Sequence, residues 1–275
     1  MTPLRPSRFR IITYFIQRDF QIRARFLKGW ALEIFLALGE LALLYFFNRW
    51  LVSSGSTMKN NYGISYFWFV ISGLITNQLC SAAHNGVLQN IRMERASGTL
   101  EFIFIGRCSY SSFLIGSLLG PWLMALIKVS LLAIAALFLL SASIQWSQIP
   151  WVMFGFLCMT LVFASVGAIV AGISLRSGWG EGFEQLFLTL SWFLGGVYFP
   201  ISVFPAPLRQ FCATLPLTQG LDFIRMSWFV PVDPHILLSR ALILLLWTIF
   251  FTAGARWIFG VMIQRCREEG AFNFF

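Results

Sequence analysis

Gln89-Asn-Ile-Arg-Met-Glu-Arg-Ala-Ser-Gly-Thr-Leu-Glu-Phe-Ile-Phe-Ile-Gly-Arg-Cys108 is a polar island between two long apolar stretches. Arg92, Glu94, Arg95 and Glu101 cluster here in a chain of which only 11% is charged, so the segment belongs in water at a membrane surface. Outward from it the chain is strongly apolar. Hydrophobic residues make up 58% of the 275, with 30 Phe and 11 Trp, and the mean hydropathy of +0.75 excludes an ordinary soluble domain. Runs of ~20 apolar residues suffice to cross the hydrocarbon core. Six are expected, over Gly29–Val52, Ile64–Ala83, Ser112–Ser141, Trp151–Leu175, Phe183–Phe199 and Ile236–Ile263. The fold class read from this pattern is an all-α membrane protein, with residues 1–28 as a leader and 29–275 as a six-helix domain. The first run carries Glu33 and Glu40 and follows a basic leader without a small-residue cleavage site, so no signal peptide is expected to be removed.

Lys and Arg placement gives the orientation, because positively charged loops stay cytoplasmic. With the N-terminus inside, cytoplasmic segments hold thirteen cations: Arg5, Arg8, Arg10, Arg18, Arg23, Arg25, Lys28, Arg92, Arg95, Arg107, Arg176, Arg265 and Arg267. The outer side holds five, Arg49, Lys59, Arg209, Arg225 and Arg240. Both termini and the island at 89–108 are therefore expected in the cytoplasm. The net charge of +9 is then a topology signal and an attraction to anionic lipid headgroups, not a sign of nucleic acid.

In the leader, Phe9, Ile12, Ile16 and Phe20 fall on one stripe at helical spacing, with Arg10, Arg18 and Arg25 roughly opposite and Tyr14 and Phe15 off the stripe. This predicts a helix in the cytoplasmic interface, arginines at the phosphates, or one packed on a partner protein. Within the spans, Glu33 and Glu40 share a helix face, and Lys128 and Arg256 are the available counter-charges. Structural pairing or snorkelling outweighs a relay role for them. His84 and His235 read as polar boundary residues with no partner carboxylate beside them. The five cysteines lack any CxxC spacing and read as small hydrophobes, so no metal site is expected.

Residues 200–230 are too apolar for a free loop, yet Pro200, Pro205, Pro207 and Pro216 forbid one continuous helix. Two short helices that dip into the outer leaflet and return satisfy both constraints, with Gly195 and Gly196 at the entry.

The order of an amphipathic leader, two spans, Ile-Arg-x-Glu-Arg-x-x-Gly-Thr-Leu-Glu, three spans, Gly-Val-Tyr-Phe-Pro with Pro-x-Pro and Leu-Pro-Leu-Thr, and a last span resembles the ABC transporter type-2 permease family over nearly the whole chain. The resemblance implies that Arg95 to Phe104 form a coupling helix docked in a groove of a separate ATPase subunit, with Glu94, Arg95, Gly98, Thr99, Leu100, Glu101, Phe102 and Phe104 as the coupling residues. It implies a connecting helix in the leader, re-entrant outer helices at 200–230, two copies of the ATPase, and a second permease copy as homodimer or heterodimer in a bacterial-type cytoplasmic membrane. The chain departs from the family in its many aromatics and in Cys-Ser-Tyr-Ser at 108–111, where such permeases often carry a proline turn.

Independently of the resemblance, the three lysines Lys28, Lys59 and Lys128 are followed by Gly, Asn and Val, so no Gly-Lys-Ser/Thr phosphate loop exists. ATP and Mg are therefore expected on the partner, and no cofactor or catalytic residue in this chain. Leu-Glu-Phe-Ile-Phe-Ile is too hydrophobic to be left in water, which makes the island a natural socket. An intramembrane serine protease lacks its Gly-x-Ser-x-Gly, and a channel lacks a polar stripe in the fourth span. Glu40, Phe67, Phe69, Asn77, Phe193 and Tyr198 are candidate path residues. A hydrophobic or amphipathic molecule, drug-like or lipid, is the first substrate expectation, and a polysaccharide or lipid-linked glycan the second.

Overall fold

The computed structural model describes residues 8–25, 27–54, 62–99, 110–140, 144–177 and 181–268. Among these the regular elements are all helical: α1 (Arg8–Arg25), α2 (Leu27–Ser53), α3 (Tyr66–Ala96), α4 (Tyr110–Leu139), α5 (Ile149–Ser177), α6 (Glu181–Leu194), α7 (Ala206–Thr214), α8 (Pro216–Phe229) and α9 (Pro234–Glu268), with short 3-10 turns at Trp146–Gln148 and Ile201–Val203. Four segments are long and apolar enough to cross a membrane: Ala31–Ser53, Ser111–Leu139, Trp146–Ser174 and Pro234–Met262. The other two expected spans differ from these in physically clear ways. Helix α3 has ample length at 31 residues, but Asn77, Gln78, His84, Asn85, Gln89 and Asn90 lower its hydropathy. Helix α6 has 14 residues, roughly 21 Å, against a hydrocarbon core of ~30 Å.

Helices α3 and α5 form the centre. The apolar window of α5 is 78% buried, against 17%, 17% and 22% for the windows in α2, α4 and α9, which therefore present most of their side chains outward. Small residues permit the tight crossings. A Cβ on Gly167 of α5 would sit 2.5 Å from the His84 carbonyl oxygen of α3, and one on Gly155 would sit 2.8 Å from Ile224 of α8. Around these crossings lie Phe69, Met159, Val162, Leu221 and Phe223 toward the expected outer side, and Val87, Ile91, Phe113, Ala168 and Phe259 toward the expected inner side.

Helix α1 corrects the leader stripe. Ile12 and Ile16 are half-buried, but Phe20 is 55% exposed, and the most buried side chains are Phe15 and Asp19; Phe9 and Arg25 lie outside the residues whose side chains are described. The reason is a Gly-x-x-x-Gly hollow on α4. A Cβ on Gly116 would meet Phe15 at 3.0 Å, and one on Gly120 would meet Asp19 at 2.4 Å. Phe15 also packs edge-on against Phe113, 5.4 Å between centroids. The leader is thus docked on α4 within the chain, and Arg18 turns inward, not toward the phosphates.

Residues 200–230 form two short helices, as the prolines demand. Leu215 is extended at φ −67°, ψ 137° ahead of Pro216, whose ring disfavours a helical predecessor. The chain enters this region through Gly196 at φ +77°, a left-handed conformation suited to glycine.

Candidate functional site

The polar island begins as the C-terminal cap of α3. Gly98 takes φ +68°; its N–H donates to the Arg95 carbonyl at 3.0 Å and the Thr99 N–H to the Glu94 carbonyl at 3.0 Å, the paired bonds of a Schellman cap. The Glu-Arg-x-x-Gly-Thr pattern therefore has a local physical cause. It stops α3 at Ala96, so Arg95 belongs to α3, and the expected coupling helix over Arg95 to Phe104 does not start at Arg95. Leu100, Glu101, Phe102 and Phe104 lie outside the described residues.

Glu94 and Arg95 point into the protein. Glu94 is 8% exposed and accepts from the Arg18 guanidinium of α1 and from the Thr99 hydroxyl. Arg95 Nη1 donates to the Ser174 carbonyl at 3.1 Å, near the C-terminal end of α5 where a cation opposes the negative end of the helix dipole. Arg18 also donates to Asn90 Oδ1 and lies 4.8 Å from the Phe15 ring centroid. Asn90 in turn repairs α4. Pro121 has no N–H to offer the Ser117 carbonyl, and Asn90 Nδ2 donates to that oxygen at 3.1 Å while also donating to the Gly86 carbonyl at 3.0 Å. One guanidinium and one amide thus lock α1, α3 and α4 beside the C-terminal end of α3.

His84 requires a correction. It is fully buried, and the Glu184 carboxylate of α6 lies 3.7 Å from Nε2 while also pairing with Arg92 at 3.0 Å. The partner carboxylate comes from a helix distant in sequence, so spacing along α3 gave no sign of it.

Beside the α1–α3–α4 corner lies a cavity of about 390 Å³ walled by α1, α2, α3 and α4. Helix α3 contributes Gln78, Ser81, Asn85 and Gln89, whose spacing puts them on one face, and α2 and α4 add Glu33 and Lys128. Amides, a hydroxyl, a carboxylate and an ammonium are costly in hydrocarbon unless wetted or bonded, so their convergence opposite Ile22, Ile34, Met93 and Met124 marks a compartment that is part polar and part apolar. No ion pair joins Glu40 to Lys128 among the described residues. It is Glu33 that shares a compartment with Lys128.

The path candidates gather only in part: Tyr198 packs against the cluster that holds Phe69, whereas Phe67 belongs to another. Phe67 and Phe69 are fully buried in different clusters, Asn77 is buried, Glu40 and Phe193 are exposed, and Tyr198 is half-buried. Phe69 instead carries the Arg225 guanidinium 3.6 Å from its ring centroid. Arg225, 2% exposed, donates to Phe69 O at 3.0 Å, Ser72 Oγ at 3.2 Å and Val197 O at 3.3 Å, while neighbouring Asp222 accepts from the Tyr62 hydroxyl. This anchor closes the Gly195-Gly196-Val197 exit onto α3, and Gly73 leaves room for it: a Cβ there would lie 2.7 Å from Val197 O. Sequence reasoning counted Arg225 only as an outer cation. The paired Asp222 and Arg225 in an otherwise apolar stretch were the available signal.

The all-helical chain, with four described segments apolar enough to cross a membrane and a capped exit from α3, resembles the type-2 transmembrane subunits of ABC transporters. Among curated proteins the chain is similar to nodulation protein J of Sinorhizobium fredii, 27% identical over 167 residues, and to nodulation protein J of Rhizobium leguminosarum bv. viciae, 22% identical over 164. Nodulation protein J of Bradyrhizobium diazoefficiens is 25% identical over 164 residues. Each match covers 59% of this chain and 62% of the relative. No family model matches the chain.

Proposed function

We propose that this chain is the transmembrane subunit of an ATP-driven exporter whose substrate is an amphipathic molecule with a hydroxyl-rich head, of the lipid-linked glycan type, and that a separate ATPase supplies the energy. The observation that carries the substrate reading is the 390 Å³ compartment lined by Gln78, Ser81, Asn85, Gln89, Glu33 and Lys128. Side-chain amides and charged groups exchange hydrogen bonds with hydroxyls, whereas a drug-like hydrophobic substrate leaves them unsatisfied. The second reading, an apolar drug or lipid, draws support from the outward aromatics of α2 and α9 alone.

In this reading, residues 1–28 act as the connecting helix and 89–108 as the element that docks in the ATPase groove. The membrane domain 29–275 works with α3 and α6 as the remaining two of six spans, α7–α8 as the re-entrant pair, and both termini in the cytoplasm of a bacterial-type inner membrane. Two ATPase copies and a second permease copy complete the machine. ATP and Mg bind on the ATPase.

The test is vesicle reconstitution with the cognate ATPase and a glycan-headed lipid. Gln78→Leu combined with Asn85→Leu is expected to slow glycan-lipid export by about tenfold or more, at roughly 1 kcal/mol per lost hydrogen bond, with ATPase binding intact. Glu101→Arg or Leu100→Asp is expected to abolish export and ATPase co-purification with insertion intact. Unchanged export in all of these variants, or ATP turnover by the isolated chain, sinks the proposal.

A further inference from the structure

A second concavity, of about 290 Å³, opens between α3, α4, α5 and α9. Its walls are Leu114, Leu118, Leu161 and the small residues Ala164, Ala168 and Gly260. Two of its three hydroxyls face their own helices: Thr252 donates to the Thr248 carbonyl and Ser165 to the Leu161 carbonyl, both at 2.7 Å. What remains, apart from Ser111 at one end of α4, is hydrocarbon and one cation. Arg256 lines the groove from α9, between Thr252 and Gly260, and is exposed within the long span Pro234–Met262. Among the described residues the carboxylates that form ion pairs, Asp19, Glu94 and Glu184, do so with Arg18 and Arg92, not with Arg256.

The depth of Arg256 is informative. It lies roughly 24 Å along α9 from Arg240, the outer cation of the same helix, so a hydrocarbon core of ~30 Å that begins near Arg240 ends within reach of a snorkelling Arg256 side chain. Trp257 beside it is 71% exposed, as aromatics at the headgroup level commonly are. The groove runs from this point back toward the membrane centre, from Ser111 to Leu118 along α4, roughly 10 Å.

We propose that this groove holds one anionic phospholipid of the cytoplasmic leaflet, its phosphate on Arg256 and an acyl chain along Leu114, Leu118 and Leu161. The charge fits the anionic cytoplasmic leaflet, and a phosphate supplies the counter-charge that an arginine at the edge of hydrocarbon requires. The site stands apart from the export reading, because it shares no residue with the polar compartment.

Thermal unfolding of the purified, delipidated full chain in neutral detergent tests it, with dioleoyl phosphatidylglycerol, dioleoyl phosphatidylcholine or inorganic phosphate added. Phosphatidylglycerol is expected to raise the Tm saturably, while phosphatidylcholine and inorganic phosphate do not. Arg256→Gln is expected to raise the half-saturating phosphatidylglycerol concentration about tenfold or more, and Arg256→Lys to retain most of the response. Gly260→Leu leaves the arginine in place and has no atom within 4 Å of its new Cβ, so it folds and fills the groove; its response is expected to be lost. Equal shifts by both lipids, a shift by inorganic phosphate alone, or an undiminished response in Gly260→Leu overturns the proposal.

Discussion

Arg18 is the residue on which the corner between α1, α3 and α4 turns. Its guanidinium is shared between the Glu94 carboxylate and the Asn90 amide, and Asn90 spends its own N–H groups on carbonyls of α3 and α4. Removing Arg18 leaves the Glu94 carboxylate, 8% exposed, without its cation. Arg18→Ala is therefore expected to destabilise the detergent-solubilised protein by about 3 kcal/mol, read as a fall in Tm. Glu94→Gln keeps an acceptor for Arg18 and Thr99 and is expected to lose less. The double variant Arg18→Ala with Glu94→Ala is expected to fall well short of the sum of the two single losses. Additive losses would show that the pair contributes nothing as a pair.

At the scale of an element, the end of α3 decides where the island goes. Gly98 holds φ +68°, which a β-branched residue adopts only at a cost of about 1–2 kcal/mol, and the two cap bonds depend on that conformation. Gly98→Val is expected to spare the bundle, since Gly98 is exposed and a Cβ there meets nothing within 4 Å, but to redirect the chain that leaves it. Co-purification of the ATPase is expected to drop with Gly98→Val and to persist with Gly98→Asn, because Asn tolerates the left-handed region. Equal binding by both variants would mean that the cap does not aim the docking segment. The same logic of small residues governs α1, which seats Phe15 and Asp19 over Gly116 and Gly120 of α4.

For the whole molecule, the charge distribution makes a topological prediction. Ser54, Ser97 and Ser147 are all exposed side chains in the folded chain, so labelling reports sidedness and not burial. In a background without native cysteine, Ser54→Cys and Ser147→Cys are expected to react with an impermeant thiol reagent added outside intact cells, and Ser97→Cys to react only after permeabilisation. Reversed labelling would invert the orientation argued from Lys and Arg. Sidedness matters to every functional proposal above, because the docking segment, the Arg18 corner and the Arg256 groove must all face the cytoplasm together.

The sequence by itself determined the class of the molecule: a helical membrane protein, four of whose spans satisfy length and hydropathy outright, with breaks at Gly196 and Pro216 where glycine and proline chemistry demands them. These are one-dimensional properties, fixed by the thickness of the bilayer and by local backbone preference. The stop of α3 at Gly98 was not read from the sequence: Arg95 to Phe104 was expected as one helix, whereas α3 runs on through Arg95 to Ala96 and ends in the cap at Gly98. Only the tertiary structure decided which faces meet. Arg18 reaches partners 72 and 76 positions away and Arg225 one 156 positions away, and His84 finds its carboxylate on α6, so no periodicity along one helix announces them. The polar compartment arises likewise from single residues on α2 and α4 brought against one face of α3. A side chain's position on its own helix is written in the sequence; what it touches depends on how the helices are packed, and that is settled by the fit of Phe15 over Gly116 or His84 against Gly167 in three dimensions.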